Sequence, residues 1–342
     1  MSFVQAMTEF GERAPLPDAV TRAAIKILVG RTQRLLTRAP RDADRSFATA
    51  MAPYPIALNT AEANEQHYEI PSEFFALVLG PQRKYSSCLY EHGADTLARA
   101  EERALEVSAE HAALADGQRI LELGCGWGSL SLWMARHYPA ARITSVSNSQ
   151  SQRAFIAAQA RAEGLANLTV VTADMNAFTP ADRVDRVVSV EMFEHMANWR
   201  PLLARMRDCL EPDGRMFMHV FANRHASYRF SAEDKEDWIA QHYFTGGIMP
   251  SRGLIRQFVD LFSLDAEWWW SGRHYQRTAQ DWLANFDRNG DAVFEVLKRV
   301  YGRDAKLWQR RWRLFFLATA GLFGHADGEE WGVSHYRLAP VS

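Results

Sequence analysis

Three cysteines in 342 residues, Cys88, Cys125 and Cys209, stand far apart and form no CxxC pair. That spacing excludes a disulfide framework and a cysteine zinc site. Charge of one sign is lacking too. The net charge is −2 at pH 7, so nothing draws the chain as a whole to nucleic acid or to an anionic membrane. Long apolar runs are also absent: the longest, Leu314 to Gly324, is roughly half the ~20 residues a spanning helix needs, so no stable membrane insertion is expected. The opening stretch, MSFVQAMTEFGERAPLP, carries acids early and has no apolar core of the kind a secretory signal needs, so a reducing, cytoplasmic setting is expected. Internal repeats and low-complexity tracts are missing. Present in quantity is apolar and aromatic sequence. The chain is 47% hydrophobic, with 11 Trp, 10 Tyr and 19 Phe, enough to bury a substantial core in one large domain or two modest ones.

Residues 18–38 read as a helix with Asp18 as its N-cap and Pro40 beyond its end. Its apolar positions are interleaved with Arg22, Lys26, Arg31, Arg34 and Arg38. That pattern fits a membrane-surface helix or a packed helix with its cations in water, and the second is expected. Residues 61–115 continue mostly helical, broken at Pro71 and at LGPQRKYSS. From 118 the rhythm changes. QRILELGCG, ARITSVSNS, LTVVTADM, VDRVVSVEMF and GRMFMHVF read as strands, with helix-like SLSLWMARHY and SQRAFIAAQARAEG between the first of them. Such alternation predicts an α/β doubly wound sheet. Three parts are expected: a helical segment over 1–115, a Rossmann-like core over 116–225, and a part over 226–342 that completes the sheet and caps it with helices.

Gly124, Gly126 and Gly128 follow the first strand directly. Glycines there let the backbone turn sharply and approach a ligand, and the next helix presents its N-terminus to it. The dinucleotide fingerprint is G-x-G-x-x-G with an acid about 20 residues on for the ribose. Here the third glycine comes one residue early and the second strand ends in Ser147-Asn148-Ser149. The departure favours another adenosine-bearing ligand, S-adenosyl-L-methionine. Asp174 suits an adenine amino group, with Met175 against the ring; a helix cap explains Asp174 equally well.

SVEMFEHM places Glu191, Glu194 and His195 at the exit of the fourth strand. A metal site would want more than the one histidine found there. Proton handling suits the trio better. Histidine has an unperturbed pKa near ~6.5, and carboxylates can attract a cation or stabilise an imidazolium.

LELGCGWGSLS, NEQHYEIPSEFF, EMFEHM, FTGGIMPS, GRHYQRT and DGEEWGVSHY resemble the cyclopropane fatty acid synthase superfamily of class I methyltransferases. FTGGIMPS and DGEEW incline the resemblance toward its coclaurine N-methyltransferase branch, and it runs from about residue 55 to 338. The resemblance implies a seven-stranded sheet and S-adenosyl-L-methionine as cofactor. Tyr85 and Ser86 would reach the methionine carboxylate, Gly124 and Gly126 would line the ligand, Ser147, Asn148 and Gln152 would lie near the ribose, and Asp174 and Met175 at adenine. Glu191, Glu194 and His195 would form the catalytic loop, and the acceptor would be a small cyclic or aromatic amine. Phe323 and Trp331 match aromatic acceptor-pocket positions. His219 and Tyr275, with Glu194, match members of a bicarbonate site of the cyclopropane synthases, although the cysteine that follows Tyr-Ser in those enzymes is Ser87 here. His219 reads equally as an active-site or a core histidine, and at least two of Trp268, Trp269 and Trp270 read as core. Methyl or methylene transfer to an unsaturated acyl chain is the competing activity. A non-catalytic cofactor-binding protein would have no need of the EMFEH cluster.

Overall fold

The computed structural model describes residue 12, residues 16–58, 70–231, 233 and 237–341. Residues 64–69 of the NEQHYEIPSEFF stretch therefore lie outside the described residues. Helix α1 (Asp18–Leu36) is capped by Pro17 rather than by Asp18. Asp18 sits in the first turn, where its carboxylate takes two hydrogen bonds from Arg313, at 2.6 and 3.1 Å, and complements the helix dipole. Ile25, Val29 and Leu36 pack on the core. The five cations stay exposed on the opposite side, together with Val20, Ile27 and Leu35.

Helices α2 (Ala43–Ala50), α3 (Ser72–Val78) and α4 (Leu97–His111) lead into the alternating region. It runs β1 (Arg119–Leu123), α5 (Ser129–His137), β2 (Arg142–Ser147), α6 (Gln150–Ala162), β3 (Leu168–Thr172), β4 (Val184–Val190), α7 (Trp199–Cys209) and β5 (Leu210–Asn223). Then come the short α8 (Trp238–His242), β6 (Phe262–Ser271), α9 (Gly272–Arg288), α10 (Gly290–Tyr301), α11 (Ala305–Phe323) and β7 (Trp331–Pro340). Gly164, at φ 70°, provides the left-handed stop after α6.

Seven strands form one sheet in the order β3-β2-β1-β4-β5-β7-β6. The pairings from β3 to β5 are parallel, and β7 lies antiparallel between β5 and β6. Because β1 pairs with both β2 and β4, the winding reverses at β1, and a crevice opens beyond the carboxyl ends of these strands. Both the glycine turn and the EMFEH segment leave the sheet there. Pleating places Trp268 and Trp270 on one face of β6 and Trp269 on the other, against Arg252. Among the described residues no helix is long and apolar enough to cross a membrane.

Candidate active site

The turn after β1 is left-handed at all three glycines, with φ of 75°, 52° and 81° at Gly124, Gly126 and Gly128. The N–H groups of Gly124 and Cys125 both donate to the Val146 carbonyl, at 2.9 and 3.0 Å, which ties the turn to β2. A Cβ on Gly124 would lie 2.5 Å from the Met192 side chain, whereas one on Gly126 would meet nothing within 4 Å. Gly124 is thus needed for packing against the acidic loop, and Gly126 faces open pocket.

Ser147, Asn148 and Gln152 enter from the end of β2 and the start of α6. Ser147 Oγ donates to Gln152 Oε1 at 2.7 Å and accepts from the Ser149 N–H at 3.0 Å. Ser149 in turn caps α6 by accepting from the Gln152 N–H. Asp174 holds its own turn, one carboxylate oxygen accepting from the Asn176 N–H at 2.8 Å, and still lines the pocket beside Met175. Tyr85 and Ser86 close the opposite wall. All nine residues expected at the cofactor line one cavity, together with Glu191 and His195.

Glu191 follows β4 with φ 47°, a left-handed conformation that costs a non-glycine residue on the order of 1–3 kcal/mol. Its neighbours over-determine it. Its N–H donates to the His219 carbonyl at 2.8 Å. Its Oε1 accepts from the Ser87 N–H at 2.9 Å and meets His219 Nε2 at 3.1 Å, and its Oε2 accepts from the Tyr275 hydroxyl at 2.6 Å. Burial pushes this carboxyl above its ordinary range, against the pull of Lys84, the Tyr275 hydroxyl and the Ser87 N–H. His195 forms the pocket wall, stacked on Phe244 at 4.9 Å. Burial brings it down to about 4, so its ring is neutral at physiological pH.

Four expected site residues stand behind the wall rather than in it. Glu194 is fully buried and accepts from the Phe221 N–H at 2.6 Å, and its other oxygen has no hydrogen-bond partner among the described residues. Burial first, then the charge of Glu191, pushes its pKa far up, and from behind the wall it braces the loop through the Phe221 N–H. His219 lies on the far side of Glu191 with no exposed surface. Phe323 is stacked on Tyr275 at 4.3 Å, one layer deeper. Trp331 opens β7 and pairs with Asn223. Gly272 packs so closely that a Cβ there would fall within 2.2 Å of the carbonyl oxygens of both Trp331 and Phe323, and neither aromatic lines the pocket. The aromatic wall consists instead of Phe221, Phe244, Trp282 and Phe315 beside Tyr275.

Lys84 is the residue that motif reading missed. Within PQRKYSS it looks like a solvated turn cation, yet it is 1% exposed and lines the pocket. Its Nζ donates to Ser86 Oγ at 2.5 Å and to the Ser87 carbonyl at 2.6 Å. Cys88 is buried, with its thiol toward the Ser86 carbonyl, and burial pushes its pKa upward. Among the described residues no group of three or more His, Cys, Asp or Glu side chains is placed to hold a metal ion.

Known proteins share sequence and fold with this chain. (S)-Coclaurine N-methyltransferase of Thalictrum flavum subsp. glaucum is 34% identical over 285 residues, covering 82% of this chain and 79% of that protein. Cyclopropane-fatty-acyl-phospholipid synthase of Escherichia coli (strain K12) is 29% identical over 263 residues, 72% of this chain and 66% of that one. A crystal structure of coclaurine N-methyltransferase bound to N-methylheliamine and SAH superposes with a TM-score of 0.94 at 29% identity, covering 98% of this chain and 99% of that one. A cyclopropane synthase of Mycobacterium tuberculosis shares the fold, with a TM-score of 0.69. The family model for mycolic acid cyclopropane synthetase matches residues 57–327, and the chain therefore belongs to that family, with the seven-stranded fold of its S-adenosylmethionine-dependent methyltransferases.

Proposed function

We propose that this chain transfers a methyl group from S-adenosyl-L-methionine to the nitrogen of a small cyclic or aromatic amine. The observation that carries this reading is the Glu191 carboxylate. It accepts from the Ser87 N–H and the Tyr275 hydroxyl and faces His219 Nε2, at the edge of an aromatic pocket where a cation is the natural partner. The glycine turn fits the cofactor, because Gly126 leaves a cradle that no side chain fills. Ser147 and Gln152 offer polar groups for a ribose, Asp174 for an adenine amino group, and Tyr85 and Ser86 for the carboxylate end. The cofactor, when bound, supplies an electrophilic methyl on sulfur.

Everything else is work for the protein. Glu191 draws an ammonium form of the acceptor into the pocket, and Phe244 and Trp282 flank it with ring faces that favour a cation. An ammonium has no lone pair and must lose a proton before it can attack. The neutral ring of His195 can accept that proton, and the charge of Glu191 stabilises the resulting imidazolium. Enclosure by apolar side chains excludes water and holds the nitrogen in line, which supplies much of the acceleration. Because His195 is already neutral well below pH 6, the rise of rate with pH should not follow a histidine of ordinary pKa.

Methyl or methylene transfer to an unsaturated acyl chain is the competing reading, since a synthase of that kind matches the chain. Of His219 and Tyr275, which the resemblance assigns to a bicarbonate site, Tyr275 donates its hydroxyl to Glu191 and His219 Nε2 faces the same carboxylate. That occupancy favours the amine. The test is a product assay by mass spectrometry with labelled cofactor, offering cyclic aromatic amines beside unsaturated phospholipid vesicles. N-methyl product from at least one amine, with unmodified lipid, is expected. Methylated or cyclopropanated acyl chains with every amine inert would reverse the assignment.

A further inference from the structure

Three imidazoles continue in line behind Glu191. His219 lies on β5, and His335 stands directly opposite it on β7, a cross-strand pair on one face of the sheet. Both rings are fully buried. Glu191 Oε1 meets His219 Nε2 at 3.1 Å, His219 Nδ1 meets His335 Nε2 at 2.9 Å, and His335 Nδ1 meets His111 Nδ1 at 2.8 Å. His111, half-buried at the end of α4, lies flat on Trp268 at 3.7 Å. The series thus runs from the pocket wall across two strands to the outer layer of the protein.

Burial makes all three rings neutral. His219 and His335 fall well below their ordinary value, and His111 falls to about 4 with help from Arg337 and Arg103. A neutral imidazole has one N–H and one lone pair. Three such rings in series allow only two arrangements without a broken link. In one, every N–H points toward Glu191: His111 Nδ1–H to His335, His335 Nε2–H to His219, and His219 Nε2–H to the carboxylate. In the other, every N–H points away, and Glu191 must then be protonated to donate to His219. The outward arrangement therefore requires a protonated Glu191, and only the inward one is compatible with its ionised carboxylate.

We propose that His335 and His111 are positioning residues for methyl transfer, which hold His219 as an N–H donor and so keep the Glu191 carboxylate ionised and ready for a cation. The proposal rests on the amine reading only in taking the acceptor to be that cation. Other charges face the carboxylate as well. Lys84 and His195 favour its ionised form, and Glu194 lies beside it. Lys84, however, gives its hydrogen bonds to Ser86 and Ser87, so it contributes field rather than a bond to Glu191. At the outer end Arg103 and Arg337 surround His111, and Arg337 is paired with Asp265.

Nitrogen NMR of ring-labelled histidines, assigned by single replacements, reads the polarity directly. His219 and His335 should carry the proton on Nε2 and His111 on Nδ1, the less populated form of a free histidine. An Nε2–H form of His111 would overturn the arrangement. The consequence is read on Glu191 itself, in protein without acceptor, from the infrared carbonyl band of its protonated form, identified by its loss in Glu191→Gln. His335→Phe removes the middle link and should raise the midpoint of that band by about one pH unit or more. His335→Gln should restore it, since an amide donates on one side and accepts on the other. His111→Phe, at the half-buried end, should shift it in the same direction and serves if His335→Phe does not fold. In the amine assay the acid limb of kcat/KM should move by the same interval, with the rate recovering at alkaline pH and the affinity for S-adenosylhomocysteine unchanged. An unmoved Glu191 midpoint in either folded Phe variant would sink the proposal. Failure of the wild type to methylate any amine would sink the amine reading instead and leave the infrared result to stand alone.

Discussion

On the β1-β2-β3 side, the pocket wall comes from three short stretches, 124–126, 147–152 and 174–175, each lying just after its strand. On the other side it comes from Glu191, Phe221, Phe244, Tyr275, Trp282 and Phe315, which are carried by separate strands, helices and loops. The first wall owes its shape to backbone: left-handed glycines, a helix N-terminus, and the serine that caps α6. The second owes it to packed side chains. Backbone geometry is local and survives most substitutions nearby, whereas a packed wall moves with its neighbours. Changes on the first side should therefore act on the cofactor alone, and changes on the second on the acceptor alone. The joint between them is the Gly124–Met192 contact.

Glu191→Gln tests the separation hardest. It removes the charge and keeps the shape, so kcat should fall by about 10²- to 10³-fold, while calorimetric affinity for S-adenosylhomocysteine holds. A parallel loss of cofactor affinity would show that the two walls are one unit. Gly126→Val probes the other side: a side chain in the open cradle, on backbone at φ 52°, should weaken cofactor binding by roughly 10- to 100-fold. Gly124→Ala should break the comparison, because its Cβ displaces Met192 next to Glu191. Both cofactor affinity and kcat should then suffer.

Acid sensitivity belongs to the second side. The folded pKa of His335 lies below its unfolded value of 6.5, so this group's stability contribution is complete above that value and is lost as pH falls toward the folded pKa. Between pH 7 and pH 5, His335→Gln should lose about 2 kcal/mol less stability than wild type in urea unfolding. An identical loss in both proteins would mean that His335 is already charged in the fold. Phe244→Ala should raise KM for aromatic amines by about five- to tenfold, the value of one ring face against a cation. Trp331→Ala should leave the ratio of aromatic to aliphatic KM unchanged, since its ring lies outside the pocket. A selective rise in aromatic KM for Trp331→Ala would restore it to the acceptor site.

Contiguous motifs were readable because their chemistry is local. LELGCGWGS announces a glycine turn between a strand and a helix wherever the rest of the chain goes, and SVEMFEHM announces acids at a strand exit. The residues expected at the cofactor accordingly come from short contiguous stretches, and all of them line one pocket. Glu194 could not be separated from Glu191 in the same way: the two are three positions apart, and only the left-handed turn at Glu191 sends one carboxylate into the pocket and the other into the core. Lys84 looked like surface because burial of a lysine is invisible until the walls that bury it are in place. Phe323 and Trp331 were misplaced by one packing layer, a depth that no periodicity encodes.

The sequence by itself determined the alternation of strands and helices, the site of the glycine turn, the cofactor class and the presence of an acid–histidine cluster. Each of these depends on neighbours within about ten residues. Tertiary structure alone decided which carboxylate lines the pocket and which is buried behind it, which aromatics line the pocket, and that three histidines from α4, β5 and β7 meet in one line. Those outcomes depend on groups separated by 28 to 224 positions along the chain. Burial and hydrogen-bond geometry set the charge of such groups, and both are properties of the folded neighbourhood rather than of the residue.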